Sequence, residues 1–128
     1  MLKVEHIGIA VKNLAVATAI YEKLLNTSCY KTEQIISENV NTAFYKQGET
    51  KIELLESTAP ESAIAKFINK RSEGLHHIAF EVEDIIAERQ RSQDEGFTLI
   101  NEQPKKGADN KLVCFLHPKD ACGVLVEL

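Results

Sequence analysis

Four residues of this chain have the types and the spacing to hold a cation and to move a proton. His6 stands in Val4-Glu5-His6-Ile7-Gly8-Ile9-Ala10-Val11, and His77 in Leu75-His76-His77-Ile78-Ala79-Phe80-Glu81-Val82. Each is followed, 47 or 50 residues later, by a glutamate in another apolar run. These are Glu53 in Lys51-Ile52-Glu53-Leu54-Leu55 and Glu127 in Val124-Leu125-Val126-Glu127-Leu128. Two imidazoles and two carboxylates suit a divalent transition metal such as Co, Ni, Mn, Zn or Fe, with open positions for a substrate. The repeated His…Glu pair reads as a duplicated module whose halves converge on one ion.

The elements that must carry these residues repeat as well. The apolar pattern predicts a strand over 3–11, then a helix from Leu14 to about Leu25 capped by Asn13, with Ala17, Ile20, Tyr21 and Leu24 on its inner face. Strands follow at roughly 28–37, 40–47 and 50–56, the last two joined by a turn at Gln47-Gly48-Glu49. Pro60 fits the first turn of a connector helix, about 60–72, with Ile64, Phe67 and Ile68 inward and Gly74 near its end. The order then recurs. A strand spans 75–82, and a helix capped by Asp84 runs to about Glu95 and ends at Gly96. Strands are expected near 97–101, 111–116 and 123–128, with a polar loop over 102–110. The histidines are 71 residues apart and the glutamates 74; a longer turn at 117–123 than at 46–49 accounts for the difference. The pattern is a single domain of two strand–helix–strand–strand–strand modules, about 1–56 and 75–128.

Alternation along a strand decides which side chains share a face. His6, Gly8 and Ala10 share one, opposite Ile7, Ile9 and Val11. His77, Ala79 and Glu81 share one, opposite His76, Ile78, Phe80 and Val82. Each histidine is therefore followed, two positions on, by a small residue that leaves room beside it. Glu127 points away from Val124, Val126 and Leu128, and Glu53 away from Ile52 and Leu54. A lone histidine on a strand is usually only a packed or exposed side chain. His76 fits that reading at a helix packing edge, and His117, before Pro118, fits a turn.

Composition narrows the function classes. The 128 residues, 44% of them apolar, fit one domain that buries roughly two-thirds of its unfolded surface. The net charge of −4, with both signs interspersed, gives no footprint for nucleic acid. No apolar stretch reaches the roughly 18 residues of a membrane span, and the opening residues read as a strand rather than a signal peptide. Cys29, Cys114 and Cys122 are odd in number and lack Cys-x-x-Cys spacing, which argues against a disulfide framework or zinc ribbon and for a reduced, cytoplasmic protein.

The motifs resemble the vicinal oxygen chelate superfamily and, within it, the methylmalonyl-CoA epimerase family. The stretches that carry the likeness are His6-Ile7-Gly8-Ile9-Ala10-Val11, Gly48-Glu49-Thr50-Lys51-Ile52-Glu53-Leu54-Leu55-Glu56 and Gly74-Leu75-His76-His77-Ile78-Ala79-Phe80-Glu81-Val82. The last is Phe115-Leu116-His117-Pro118-Lys119 followed by Gly123-Val124-Leu125-Val126-Glu127-Leu128. The resemblance implies an α+β fold: two tandem βαβββ modules forming a curved, partly open mixed sheet barrel around a metal site, helices outside. It implies one divalent ion per chain, first Co2+, with Ni2+, Mn2+ or Zn2+ as alternatives, on His6, Glu53, His77 and Glu127. It further implies R/S interconversion of methylmalonyl-CoA by proton abstraction at the α-carbon through a metal-stabilised enolate, in a homodimer. Glu127 is the first choice of base and Glu53 its pseudo-symmetric partner. Some epimerases carry another glutamate on the strand that here reads Val40-Asn41-Thr42-Ala43-Phe44, and this chain has no carboxylate between Glu38 and Glu49. The second base therefore stays open. Lys105, Lys106, Lys111 and Lys119 are the cations available for the phosphates of an acyl-CoA.

Three other readings share the pattern. A glyoxalase I-type lyase would use the same ligands on a glutathione hemithioacetal. An iron dioxygenase would use two histidines and one carboxylate, which makes Glu53 surplus. A metal-free sequestering protein would not need the four donors. Fold alone does not separate them.

Overall fold

The computed structural model describes residues 1–107 and 110–128. Two residues of the expected 102–110 loop, Ala108 and Asp109, lie outside the described residues. The chain forms two compact units, one of Ile7–His76 and one of Met1–His6 with His77–Leu128. Strand β1 (Lys3–Val11) contributes to both, and the division falls directly after His6.

In the Ile7–His76 unit, β1 is followed by helix α1 (Leu14–Leu25), β2 (Lys31–Ile35), β3 (Val40–Gln47), β4 (Thr50–Ser57) and helix α2 (Ala63–Arg71). The strands run in the order β2-β3-β4-β1, with β2/β3 and β3/β4 antiparallel. Gly48, at a φ of 64°, makes the tight β3–β4 turn that the sequence predicts. Asn13 caps α1 as expected, its side chain accepting from the Val16 N–H at 3.0 Å. The buried face of α1 is turned from the expected one. Ala17, Tyr21, Leu14 and Leu25 pack against Val11, Ala43, Tyr45 and Leu54, while Ile20 and Leu24 are 56% and 68% exposed. Leu14 and Leu25, at the two ends of the helix, swing the packed stripe away from Ile20 and Leu24. Helix α2 begins three residues later than Pro60 suggests, because the Ser62 hydroxyl accepts from the Ala65 N–H at 3.0 Å and so caps it. Its inner residues Ile64, Phe67 and Ile68 cover Ala10, Val40 and Leu55. The expected 28–37 strand shrinks to Lys31–Ile35; a single 3-10 turn, Ile36–Glu38, ends it and closes with Asn39 at a φ of 55°.

The other unit begins with the first residues of β1 and continues with β5 (Gly74–Glu81, of which His77 onward belongs here), helix α3 (Ile85–Asp94) and strands β6 (Lys105–Lys106), β7 (Leu112–Val113), β8 (Phe115–Leu116) and β9 (Leu125–Glu127). Its strand order is β1-β5-β9-β8, with β6 and β7 as a separate antiparallel pair. Asp84 caps α3 through the Ile86 and Ala87 N–H groups at 3.0 and 3.1 Å. The core here gathers Cys114, Leu116 and Leu128 with Phe80, Val82, Ile85, Phe97, Leu99 and Val126.

The last module is less regular than predicted. Residues 97–101 form no strand; they reach β8 only through an isolated Leu99–Leu116 bridge. At that bridge the Ile100 N–H donates to the Phe115 carbonyl and the His117 N–H to the Thr98 carbonyl; beyond it Arg89 Nη2 donates to the carbonyls of Asn101 and Glu102. The expected 111–116 strand splits at Cys114 into β7 and β8, and part of the expected loop pairs as β6. Among the described residues no helix is long and apolar enough to cross a membrane.

Candidate active site

Strands β1, β5 and β9 place three of the four nominated residues within reach of one another. His6 and His77 are 6% and 5% exposed. Their Nε2 atoms are 3.0 Å apart and their rings stand edge to face, with centroids at 5.1 Å. Glu127 joins them: Oε2 lies 3.2 Å from His6 Nε2, and Oε1 lies 3.9 Å from His77 Nε2.

The local sequence explains the convergence. Strands β5 and β9 pair in parallel, with Ala79 opposite Glu127 and His77 opposite Leu125. Ala79 leaves space for the carboxylate, as the alternation argument requires, and is itself 2% exposed. Val126 and Leu128 turn to the other side and join the apolar core, which fixes the face that Glu127 must take. Phe115, opposite Glu127 on β8, meets the His77 ring edge to face at 6.2 Å and walls that side with an apolar surface.

The donor set fits a divalent metal. Metal–nitrogen and metal–oxygen bonds of about 2.0–2.2 Å put neighbouring donors on one ion roughly 3.0–3.5 Å apart. The three donors lie within 4.8 Å of one another, and two of the three separations fall in that range. Buried carboxylates carry a large desolvation cost that a cation offsets. Cys114 lies in the apolar core of this unit, outside the donor group. Burial pushes its thiol up; Arg89 opposes that shift and the Glu127 charge adds to it.

Glu53 belongs to the other compact unit. It sits on β4 opposite Phe44, is 2% exposed, and shares its face with Leu55 rather than with Leu54, as expected.

A family model described as the glyoxalase/bleomycin resistance protein/dioxygenase superfamily matches residues 5–115. The ethylmalonyl-CoA/methylmalonyl-CoA epimerase of Cereibacter sphaeroides is 41% identical over 98% of this chain and 96% of its own. The human mitochondrial methylmalonyl-CoA epimerase is 38% identical over 98% of this chain and 72% of its own. A solved variant of the Streptomyces coelicolor methylmalonyl-CoA epimerase, in complex with 2-nitronate-propionyl-CoA, superposes with a TM-score of 0.96 at 34% identity, covering 100% of this chain and 93% of that one. The chain belongs to this superfamily and, within it, to the methylmalonyl-CoA epimerases.

Membership in the epimerase family agrees with the α+β class read from the sequence. The four nominated lysines all fall in the unit that holds the histidines. Lys105 on β6 places Nζ over the Phe115 ring at 5.7 Å. Lys111, just before β7, lies 3.9 Å from a Glu5 oxygen. Lys106 and Lys119 are exposed. His76 packs edge to face on Phe67 of α2 with centroids at 5.0 Å, the helix-edge role expected of it. His117 caps the 3-10 turn Pro118–Asp120, its Nδ1 accepting from the Lys119 N–H at 3.0 Å.

Sequence reasoning missed Glu5. Its Oε1 lies 3.0 Å from His6 Nδ1 and its side chain is buried. Strict alternation sends residues 5 and 6 to opposite faces, so the sequence does not pair them; the contact at His6 Nδ1 and the burial of both residues do so in the structure.

Proposed function

We propose that the chain interconverts the epimers of methylmalonyl-CoA by proton transfer at the carbon between thioester and carboxylate, with a divalent ion held by His6, His77 and Glu127. The observation that carries the reading is the buried cluster of two imidazole nitrogens and one carboxylate at 3.0–3.9 Å. The epimerase relatives, matched along nearly the whole chain, supply the substrate class. Glu53 is the further donor that its repeat-equivalence to Glu127 nominates.

The bound ion would supply electrostatic stabilisation of charge developing on the substrate's oxygens. The chain's own residues do the rest. Glu127 offers two oxygens to two different neighbours, so one can serve as ligand while the other stays basic. The free oxygen takes the α-proton, the electron pair of the C–H bond passes into the enolate, and a proton delivered to the opposite face completes inversion. Glu53 is the pseudo-symmetric group for that second transfer. Phe115 and Ala79 limit water around His77 and Glu127, which keeps the charge interactions strong. The ligand of the Streptomyces relative supports the route, because a nitronate at C2 has the planar, anionic form of an α-carbanion. Lys105, Lys106, Lys111 and Lys119 are the cations for the coenzyme's phosphates.

The test is deuterium wash-in. Cobalt-loaded protein and single-epimer methylmalonyl-CoA in heavy water should give rapid exchange at the α-carbon, lost on chelation. Exchange that survives full removal of metal overturns the metal assignment. No exchange by a protein holding one ion per chain overturns the substrate and favours a glutathione thiol adduct.

A further inference from the structure

Glu5 is a buried carboxylate to which the mechanism assigns no task. It is 9% exposed and precedes His6 on β1. One oxygen lies 3.0 Å from His6 Nδ1, and the other 3.9 Å from Lys111 Nζ.

An ionised carboxylate can only accept hydrogen bonds. The contact at Nδ1 is therefore a hydrogen bond only when the Nδ1 of His6 carries the proton. In the neutral ring Nε2 then keeps its lone pair, and Nε2 is the atom 3.0 Å from His77 Nε2 and 3.2 Å from Glu127 Oε2. The other neutral tautomer sets a lone pair against the Glu5 charge and gives Nε2 a hydrogen for Glu127 Oε2, 3.2 Å away, so the two carboxylates draw the ring proton in opposite directions until a cation sits between Nε2 and Glu127. It is also the tautomer that a histidine side chain prefers in water, and Glu127 beside Nε2 favours it further, so without Glu5 the ring would hold its proton on the nitrogen that must face the ion. The partner on one ring nitrogen decides which nitrogen is left for a metal.

We infer that Glu5 is a positioning residue of the metal centre: it holds His6 in the Nδ1–H tautomer and so presents the Nε2 lone pair to the ion. The inference rests on the metal reading of the same cluster. It assigns Glu5 no contact with substrate. It also gives Lys111 a task apart from binding coenzyme A, because that lysine braces the second oxygen of Glu5.

Two variants test it. Glu5→Met fills a similar volume with no strong acceptor, and Glu5→Ala removes the side chain. Long-range nitrogen–proton NMR on the metal-free protein should find a proton on His6 Nδ1 in the parent, and in the variants a proton on Nε2, beside Glu127, with Nδ1 bare. Competition with a chromophoric chelator should find cobalt held about 10–100-fold more weakly by the variants. A purely structural role would lower stability without moving the His6 proton. His6 keeping its Nδ1 proton in either folded variant, or wild-type cobalt affinity there, overturns the inference. A parent protein that binds no cobalt overturns the metal reading and the inference with it, so the two failures are distinguishable.

Discussion

Glu127 shows how one side chain acquires a role from its neighbours. It lies opposite Ala79 on one side and Phe115 on the other, so a small residue and a flat ring frame it. Replacing it with the isosteric amide keeps the frame and removes the charge. Glu127→Gln is expected to lower turnover by about 10²–10⁴-fold, the usual weight of a general base, with circular dichroism and melting temperature close to the parent's. Near-normal turnover in a folded, metal-loaded variant would remove Glu127 from the mechanism. His6, His77 and Glu127 were legible in the sequence because each sits two positions from, or directly beside, small or outward-facing residues in a period-two pattern. Glu5 was not, because period-two alternation assigns it to the face opposite His6 and only the side-chain contact in the folded strand joins the two.

The elements show the same division between pattern and tertiary override. Caps at Asn13 and Asp84 and the turn at Gly48 are local chemistry, and the sequence states them directly. The inner face of α1 and the fate of residues 97–101 depend on contacts far along the chain, from β3 and β4 for the helix and from β8 for the single bridge at Leu99. The link between α1 and β3 carries a pH prediction. Tyr45, fully buried on β3, donates its hydroxyl to the Thr18 carbonyl at 3.1 Å. Burial, with Cys29 and Glu22 adding, pushes its pKa up to about 12 from the ordinary 10.0. A pKa raised by folding gives stability that is whole below the unfolded value and is lost as pH rises through the folded one. Denaturant titrations should therefore show a stability loss between pH 10 and 12 that Tyr45→Phe abolishes. At pH 7 the same variant is expected to cost about 1 kcal/mol, the usual net worth of one hydrogen bond. An identical alkaline profile in the variant would mean that another group titrates in that window.

At the scale of the whole molecule, the sequence repeat and the compact units do not coincide. The repeat divides the chain between 56 and 75, whereas the units divide it within β1 and at His77. The period-two and helical patterns reveal the repeat because they are local. The division of β1 depends on which strands flank it, and no local signal records that. The metal-site reading adds a linkage prediction: an ion that binds only the folded chain stabilises it by about 2.7 kcal/mol at 100 times its Kd. Calorimetric scans with cobalt should show the melting temperature rise with ion concentration and return on chelation. A melting temperature indifferent to cobalt would contradict a site assembled by folding.

The three clustered donors come from residues 6, 77 and 127, with 71 positions between the histidines alone. No contiguous stretch holds them all, and a chain lacking either β1 or β9 loses at least one. Loading with metal would thus act as a checkpoint on manufacture: a half-made product would stay inert toward thioesters instead of attacking them loosely, and cobalt uptake could serve as an assay for finished molecules.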